Sequence, residues 1–262
     1  MAKNRALLLV FVAYHPSIEE VNNLQSCLGT LSNEIGYAVV VNDHHQGEPI
    51  DRLRDKADHW LSNVDNPGYG RAVNRLIASL EVLPEYLGVL NTDLSWQQGA
   101  FSSLISWLKL HPDVALAAPQ IIDETHSIQK LCKRNPTVLG LFSRRFVPNS
   151  LKPNWLKRYD RWYVMSDQDY LKPFDVPYLS GCCMLMRSDA FRKTGGFDER
   201  YFLYLEDADL TRSLKQEGRC VHLPVAEIVH NWGRGNYRSM KLMLVNIVSS
   251  WHYFQKWGWA LW

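Results

Sequence analysis

The chain has 262 residues, and its hydrophobic fraction of 46% is enough to build one large packed domain or two small ones. This composition excludes a protein that is mainly disordered. With 29 basic and 27 acidic residues the formal net charge is only +2, so the chain lacks the overall positive excess of a nucleic-acid-binding protein.

The near-neutral total conceals an uneven distribution of charge. Residues 130–162 contain nine basic residues and one acidic residue, and residues 230–262 contain four basic residues and no acidic residue. Both segments contain tryptophan, with four tryptophans in the last twelve positions. The remainder of the chain is therefore acidic, and the two basic segments are candidates for contact with an anionic partner.

The first elements indicate an α/β fold. Residues 6–13 form an uninterrupted apolar run, which is typical of a strand buried on both faces of a parallel sheet. A helical pattern over 18–31 and a second buried strand over 37–41 follow, and the second strand leads into Asn42 and Asp43. This order predicts the beginning of a βαβ unit.

A further helix and strand are predicted next. Apolar residues recur at helical spacing over 72–83, with Asn66 placed to cap the helix and Pro67 in its first turn. A short strand over 86–90 then delivers three polar residues at its carboxyl end, namely Asn91, Thr92 and Asp93. Ligands of open α/β sheets bind at this edge.

The rest of the chain alternates regular and irregular segments. The elements predicted in chain order are a helix over 101–110, a strand over 114–118, a basic excursion with short helices over 130–172, a strand over 178–186, helices over 188–193 and 206–217, short strands over 221–223 and 228–229, and a final helix over 237–255. Long irregular segments such as the excursion are usually functional or mobile.

One face of the final helix is apolar. Its stripe consists of Met240, Leu244, Ile247, Trp251 and Phe254. The basic residues that can reach a polar face are Arg238, Lys241 and Lys256. Either the stripe packs on the protein itself or on a second copy in a homodimer, or the helix lies on an anionic membrane surface.

Several common catalytic motifs are absent from the sequence. It contains no G-x-x-x-x-G-K-[ST] phosphate loop, no G-x-S-x-G nucleophile turn and no H-E-x-x-H metal motif. The segment Gly68-Tyr69-Gly70 lacks the third glycine of a dinucleotide fingerprint, which argues against a dehydrogenase. The polar residues at strand ends suit another chemistry. A carboxylate with a downstream histidine can hold a divalent metal against a diphosphate, and a second carboxylate can act as a general base.

The motifs and their order resemble the family 2 glycosyltransferases with a GT-A fold, most closely the bacterial rhamnosyltransferase-like branch. The matching segments are L-L-L-V-F-V-A-Y-H (7–15), V-V-V-N-D-H (39–44), N-P-G-Y-G-R-A-V-N (66–74), L-N-T-D (90–93), the block over 178–212 and V-H-N-W-G-R-G (229–235). The resemblance implies a Rossmann-like GT-A domain over 1–235, with a mostly parallel sheet flanked by helices. An aromatic and basic C-terminal segment with an amphipathic helix occupies 236–262.

The resemblance also implies inverting transfer of a sugar from a nucleotide diphosphate-sugar to an acceptor hydroxyl. Asp207 matches the family's catalytic base. Asp93 and His230 are implied to hold Mg²⁺ or Mn²⁺, with Asn91 where the family usually has the first carboxylate of D-x-D. The implied donor-binding residues are Ala13, Tyr14, His15, Asn42, Asp43, Asn66, Gly68, Tyr69, Asn74, Asn91, Thr92 and Asp93. The implied acceptor-binding residues are Gly181, Cys182, Asp198, Glu206 and Asp209.

The implied acceptor is a polyprenyl-linked saccharide, with the basic excursion on the acceptor side. The branch resembled implies dTDP-L-rhamnose as donor and O-antigen, lipopolysaccharide or capsule synthesis as pathway. No run of 18 apolar residues occurs, so we expect no membrane-spanning helix. The odd number of cysteines without a C-x-x-C pair favours a reducing cytoplasm. The lipid-linked acceptor that the resemblance implies favours the inner face of the bacterial membrane. The alternatives are another UDP-, GDP- or dTDP-sugar donor, a nucleotide-sugar-binding module without turnover, and a nucleotidyltransferase.

The acidic and histidine candidates also have purely structural explanations. Acidic residues in the first turn of a helix interact favourably with its dipole, which by itself would account for Glu206, Asp207 and Asp209. Asp93 is compatible with an ordinary turn, and His230 with a buried histidine whose ring nitrogens are satisfied.

Overall fold

A mixed sheet with helices on both faces forms the centre of the protein, whose computed structural model describes residues 5–231 and 240–262. The strands are β1 (Leu7–Ala13), β2 (Ile35–Val41), β3 (His59–Ser62), β4 (Tyr86–Asn91), β5 (Leu94–Trp96), β6 (Val114–Ile122), β7 (Phe174–Asp175), β8 (Cys183–Arg187) and β9 (Arg219–His230). The helices are α1 (Ile18–Leu28), α2 (Tyr69–Ala78), α3 (Ala100–Leu110), α4 (Val138–Phe146), α5 (Asn154–Tyr163), α6 (Ser188–Lys193), α7 (Glu206–Leu214) and α8 (Met240–Trp257). Two 3₁₀ helices cover Pro49–Lys56 and Asn149–Leu151.

The apolar run of β1 supplies both faces of the sheet. Leu7, Leu9 and Phe11 pack into one core with residues of α1 and α3. Leu8 and Val10 pack into the other core with residues of α2, α6 and α7. All residues of the strand are buried, which is why its sequence is apolar throughout instead of alternating.

The strands change direction at β8. The strand order is β3-β2-β1-β4-β8-β6-β9-β5, with β7 paired to β9. β3, β2, β1 and β4 are parallel neighbours, whereas β8 is antiparallel to both β4 and β6. The predicted α/β fold with a central sheet flanked by helices is confirmed. The sheet is more mixed than predicted because β5, β7 and β8 run antiparallel to their partners.

The turn before α2 differs from the prediction. The helix begins at Tyr69 after Gly68, whose φ of 95° is in the left-handed region. The Oδ1 atom of Asn66 accepts a hydrogen bond from the Gly68 backbone N–H at 3.1 Å. The predicted cap at Asn66 and the first-turn position of Pro67 are therefore wrong, because the asparagine side chain closes a local turn instead.

Some strand boundaries also differ. The strand predicted over 178–186 begins at Cys183, and the two strands predicted over 221–223 and 228–229 are parts of the continuous strand β9. The register of β9 against β6 shifts between Pro119 and Gln120, and this irregularity interrupts the apolar pattern. The strands β3, β5 and β7 have only two to four residues each, too few for a periodic pattern to predict them.

The C-terminal helix α8 packs on the protein through a face that includes only Phe254 of the predicted stripe. Ser249, Tyr253 and Phe254 are buried, the two aromatic rings in a cluster with Tyr201 and Leu205. Four stripe residues are exposed instead, by 68% at Met240, 58% at Leu244, 48% at Ile247 and 52% at Trp251. The predicted start of this helix, residues 237–239, lies outside the described residues. Within the described ranges, no helix combines the length and apolarity needed to span a bilayer.

The basic excursion contains the helices α4 and α5, which pack against each other. The backbone N–H groups of Val138 and Leu139 donate to the carbonyl oxygens of Ala260 and Leu261, each at 2.9 Å. The C-terminal tail therefore lies against the start of α4. The two basic, tryptophan-containing segments of the sequence are neighbours in the structure.

Candidate active site

Asn42 anchors the loops at the carboxyl ends of β1 and β2. It is 2% exposed, and its backbone N–H donates to the carbonyl of Ala13 at 2.9 Å. Its Oδ1 atom accepts from the Asn63 amide at 2.9 Å, and its Nδ2 atom donates to Asn66 Oδ1 and to the Gly68 carbonyl at 3.4 Å each. These five residues form one hydrogen-bonded floor. A contact between Asn42 and a nucleobase stays a prediction.

A polar and aromatic rim borders this floor. His15 Nδ1 lies 2.8 Å from Glu48 Oε1, and His15 Nε2 lies 3.2 Å from Asp43 Oδ2. The rings of Tyr14 and His45 lie beside the His15 ring, at centroid distances of 4.5 Å and 5.7 Å. The hydrogen bonds to Glu48 and Asp43 raise the pKa of His15. The rim is exposed enough to receive a planar ring with polar edges.

Two further candidates, Asn74 and Asp198, hold the loop that follows α6. Asn74 binds the backbone N–H and carbonyl of Phe197 with both ends of its amide, at 3.0 Å and 2.8 Å. Asp198 accepts hydrogen bonds from Arg200 at 2.6 Å and 3.0 Å and from Lys256 at 3.3 Å. The bond from Arg200 holds the pKa of Asp198 below its usual range. Direct donor or acceptor contacts of these two side chains stay predictions.

The predicted metal ligands Asp93 and His230 face each other. Residue 94 of β5 pairs with His230 of β9, and this register brings the histidine beside the end of β4. His230 Nε2 lies 3.3 Å from Asp93 Oδ2, but the two atoms are not aligned for a hydrogen bond. Among the described residues, Asp93 Oδ1 and both His230 ring nitrogens are buried without a hydrogen-bond partner.

Unpaired polar atoms of this kind are costly, at about 1–3 kcal/mol each. A carboxylate oxygen and an imidazole nitrogen that are buried, adjacent and unpaired fit the ligands of a divalent cation. Of the two residues before Asp93, Thr92 donates its hydroxyl to the Glu20 carboxylate, and the Asn91 backbone N–H donates to the Cys182 carbonyl at 3.0 Å. Burial raises the pKa of Glu20, a residue that the sequence did not single out.

Asp207 is oriented by the backbone of Gly181. Its Oδ2 atom accepts from the Gly181 N–H at 2.8 Å, and its Oδ1 atom accepts from the Ala208 N–H at 2.9 Å. The Tyr69 hydroxyl donates to the Gly181 carbonyl at 3.2 Å. A Cβ atom on Gly181 would lie 3.1 Å from the Asp207 Cβ, so the glycine permits this close approach.

The two halves of the site meet at consecutive residues. The Gly181 N–H donates to Asp207, and the Cys182 carbonyl accepts from Asn91, the last residue of β4 and two residues before Asp93. Burial, together with smaller contributions from the charges of Asp93 and Asp207, raises the pKa of the Cys182 thiol to about 12. Asp207, the proposed base, therefore lies on one side of residues 181–182. Asp93 and His230, whose side chains have atoms without a hydrogen-bond partner, lie on the other side.

Lys133 is a site residue that the sequence placed only within the basic excursion. Its ammonium lies 4.3 Å from the centre of the Tyr178 ring. Burial lowers the pKa of Lys133, and the charge of Asp207 opposes this effect. A lysine thus lies within electrostatic reach of the proposed base. The pair Lys133-Arg134 at the start of the excursion was the only signal in the sequence.

Glu206, beside Asp207, is a buried acid. It is 7% exposed, and its Oε2 atom has no partner among the described residues. Burial, and then the charge of Asp207, raise the pKa of Glu206 to about 8. The pair therefore holds a proton on Glu206 at neutral pH.

We expect this proton to couple stability to pH. Glu206 binds it more tightly in the folded protein than in the unfolded chain, where the pKa is near 4.5. The stabilising contribution is complete below that value and is lost as the pH rises towards about 8. Urea unfolding of the wild type and of Glu206→Gln tests this. Between about pH 5 and pH 8 the wild type should lose unfolding free energy relative to Glu206→Gln, which has no proton to release at this position. A difference between the two proteins that does not change with pH would contradict the raised pKa of Glu206.

The Asp209 side chain contacts the C-terminal helix and does not face solvent. It is 2% exposed, and its carboxylate accepts from Lys256 Nζ at 2.8 Å and from Trp257 Nε1 at 2.6 Å. Because Asp209 and Asp207 share α7, these contacts attach α8 to the helix that carries the proposed base. An acceptor contact by Asp209 stays a prediction.

Loss of the Lys256 contact should loosen this attachment. Lys256→Ala leaves a buried carboxylate with one charged partner fewer, so we expect the free energy of unfolding to fall by about 1–3 kcal/mol. Lys241→Ala removes an exposed lysine from the same helix and should change it by less than about 0.5 kcal/mol. Urea denaturation of both variants measures the effect, and equal values would show that the Asp209 contact adds no stability.

Comparisons with known proteins agree on one class. No protein-family model matches the chain. It is similar to the N-acetylglucosaminyl-diphospho-decaprenol L-rhamnosyltransferase of Mycobacterium tuberculosis, in two strains. The identity is 34% over 238 residues, which cover 86% of this chain and 76% of the relative.

Three solved structures share the fold at 12% identity each. The structure of GalNAc-T7 with UDP, GalNAc and Mn²⁺ has a TM-score of 0.67. The match covers 98% of this chain and 49% of the GalNAc-T7 chain. The mannosyltransferase PcManGT of Pyrobaculum calidifontis with GDP-Man and Mn²⁺ has a TM-score of 0.63. The match covers 97% of this chain and 64% of the PcManGT chain. S. aureus TarS 1–349 has a TM-score of 0.57, with coverages of 86% and 60%. The chain thus spans about half of the first structure and less than two-thirds of the other two.

The sheet and the curated relative together define a nucleotide-sugar-dependent glycosyltransferase with a GT-A fold. Within that class, the chain belongs to the family 2, rhamnosyltransferase-like glycosyltransferases.

Proposed function

We propose that this protein transfers an L-rhamnosyl group from dTDP-L-rhamnose to a hydroxyl of a lipid-linked saccharide, at the inner face of the bacterial membrane. The product would enter a surface polysaccharide such as O-antigen or capsule. The observation that carries the proposal is the 34% identity, over 86% of the chain, to an enzyme named for rhamnosyl transfer to a diphospho-decaprenol-linked sugar. The arrangement of Asp207 and the Asp93–His230 pair supports sugar transfer at this edge of the sheet.

The donor nucleotide would lie across the ends of β1 and β2. The rim of Tyr14, His15 and Asp43 borders the nucleobase, and the floor around Asn42 and Gly68 lies under the ribose and diphosphate. Gly68 approaches the backbone of Phe202 so closely that no side chain fits there, and its left-handed φ favours glycine as well.

Asp93 and His230 would hold Mg²⁺ or Mn²⁺, with Asn91 close by. The bound cation neutralises the charge that develops on the departing diphosphate. Two of the solved structures that share the fold contain Mn²⁺, which agrees with this proposal. The unpaired atoms of the two side chains are the observation in this chain that supports it.

Asp207 would accept the proton of the attacking hydroxyl. The hydrogen bond from Gly181 fixes its carboxylate, and Glu206 holds a proton beside it because burial raises the pKa of that acid. Attack from the side opposite the diphosphate inverts the configuration at the anomeric carbon. The residues of this chain thus orient the base, while the departing nucleotide remains on the other side of residues 181–182.

The exposed stripe of α8 would attach the protein to the membrane. Met240, Leu244, Ile247 and Trp251 are exposed, and the tail adds Trp259 and Trp262. Aromatic rings beside lysine and arginine favour an anionic lipid interface. The double change Ile247→Ser with Trp251→Ser should reduce binding to phosphatidylglycerol vesicles, whereas Leu110→Ser, at a position 78% exposed elsewhere, should not. An unchanged vesicle affinity together with a dimer that dissociates in the double variant would favour a homodimer interface.

Turnover of a nucleotide-sugar panel tests the donor. Purified protein with Mg²⁺ or Mn²⁺ and a lipid-linked N-acetylglucosamine acceptor is incubated with dTDP-, UDP- and GDP-sugars, and the released nucleotide is measured. We expect release from dTDP-L-rhamnose above all others. Faster release from a UDP- or GDP-sugar would overturn the assigned donor, and binding without release would favour the non-catalytic module.

A further inference from the structure

The helices α4 and α5 and the loop between them enclose an open cleft of about 920 Å³. Five cations line it, namely Arg144, Arg145, Lys152, Lys157 and Arg161. The only acid in the lining, Asp160, accepts from Ser143 Oγ at 2.7 Å and from Lys152 Nζ at 2.5 Å. Asp160 neutralises Lys152, and the cleft keeps a net positive charge from Arg144, Lys157 and Arg161.

The surface beside this cleft is apolar and exposed. The exposed fractions are 55% at Phe142, 45% at Phe146, 73% at Leu151, 55% at Trp155 and 44% at Trp162. Phe146 itself lines the cleft, so cations and an aromatic ring share one opening. A hydrophilic anion would not need this apolar surface, whereas an amphiphile with an anionic head and a hydrocarbon chain contacts both.

Cations also connect the cleft with the proposed base. Arg144, which lines the cleft, lies 5.9 Å from the centre of the Tyr163 ring. The charges of Arg144 and of Asp207 both act on Tyr163 and on Lys133. Arg144 in the cleft lining and the proposed base Asp207 are therefore both within electrostatic reach of Tyr163 and Lys133.

We propose that this cleft binds the diphosphate of the lipid-linked acceptor, with Arg144 on the side nearest Tyr163 and the isoprenoid chain on the exposed aromatic surface. This inference rests on the proposed function, since it names the part of the acceptor that the chain recognises apart from the sugar. A diphosphate diester carries two negative charges, which the cations of the cleft match without a metal ion. The sugar beyond the diphosphate is then within reach of Lys133 and Asp207.

Binding of geranyl diphosphate to the full chain tests the cleft directly. By isothermal titration, the double variant Lys157→Gln with Arg161→Gln should bind it about tenfold more weakly, or weaker still, because two charge-assisted contacts are lost. Arg158→Gln removes a cation of the same helix that lies outside the cleft lining, and it should bind like the wild type. Binding of dTDP should be the same in all three proteins. An unchanged affinity of the double variant for geranyl diphosphate overturns the proposal.

Three further probes separate the sources of phosphate. Geranyl monophosphate and inorganic pyrophosphate should each bind more weakly than geranyl diphosphate, because each lacks part of the proposed ligand. If the double variant loses binding to phosphatidylglycerol vesicles but not to geranyl diphosphate, the cleft is a membrane contact and the proposal is wrong. If dTDP displaces geranyl diphosphate from the wild type, the ligand occupies the donor site and the proposal is likewise wrong.

Kinetics keep a failure of this inference distinct from a failure of the proposed function. With a diphosphate-linked acceptor, the double variant should show a KM raised about tenfold with kcat unchanged. With an alkyl N-acetylglucosaminide, which lacks the diphosphate, the variant should equal the wild type. Rhamnosyl transfer with equal KM values in both proteins refutes the cleft and leaves the function standing. Cleft-dependent binding of geranyl diphosphate without any rhamnosyl transfer refutes the function and leaves the cleft standing.

Discussion

Asp207→Asn should reduce kcat by about 10²–10⁴-fold, the usual contribution of a general base. The amide has nearly the size of the carboxylate and can still accept from the Gly181 N–H, but it cannot take the proton of the attacking hydroxyl. Donor affinity should stay the same, because Asp93 and His230 lie on the other side of residues 181–182. Initial rates of nucleotide release, together with titration of dTDP, measure the two effects separately.

Asp189→Asn provides the matched control for this variant. Asp189 is an exposed acid in the first turn of α6, as Asp207 is an acid in the first turn of α7. The Asp189→Asn variant should release nucleotide at the wild-type rate. A rate for Asp207→Asn close to that of the control would remove Asp207 as the base, and a parallel loss of dTDP binding would assign it to the donor site instead.

Asp93→Asn should reduce kcat/KM by about a hundredfold or more. A metal ion contributes several kcal/mol to stabilising the developing charge, and each 1.36 kcal/mol lost is about tenfold in rate. An amide oxygen is a weaker metal ligand than a carboxylate oxygen. The substitution also removes the negative charge that faces His230. Titration of Mn²⁺ in the presence of dTDP should show a corresponding loss of affinity.

His230→Gln is expected to change kcat/KM in the same direction, and the exposed His59→Gln on β3 serves as its control. Full activity of Asp93→Asn in the presence of a chelator would contradict the metal site. Loss of Mn²⁺ binding in His59→Gln would show that the measured cation is bound outside the proposed site.

The fold could be predicted where burial leaves a direct pattern in the sequence. The apolar run of β1 indicates a strand between two helical layers, because each layer takes alternate residues of that strand. Asn42 and Asp93 were predicted at the sheet edge because buried strands deliver polar residues at their ends. Asp207 lies in the predicted first turn of its helix.

Contacts between elements that are far apart in the sequence leave no comparable pattern in it. His230 reaches Asp93 only because the short strand β5 pairs with β9, and three residues are too few to predict. The contacts of Asp209 with Lys256 and Trp257 depend on the packing of α8 through a face that contains only Phe254 of its regular apolar stripe. Similarly, the cleft of the basic excursion forms only when α4 and α5 pack together, although the sequence shows its charges.

The stereochemical course of one reaction tests whether this protein is an inverting rhamnosyltransferase. Wild-type protein, a divalent cation, dTDP-L-rhamnose labelled with ¹³C at the anomeric carbon and a diphosphate-linked N-acetylglucosamine acceptor are combined, and the product is analysed by NMR. We expect a rhamnosyl-acceptor whose anomeric configuration is opposite to that of the donor, formed together with dTDP. A product with retained configuration, or no transfer of the labelled sugar, would contradict it.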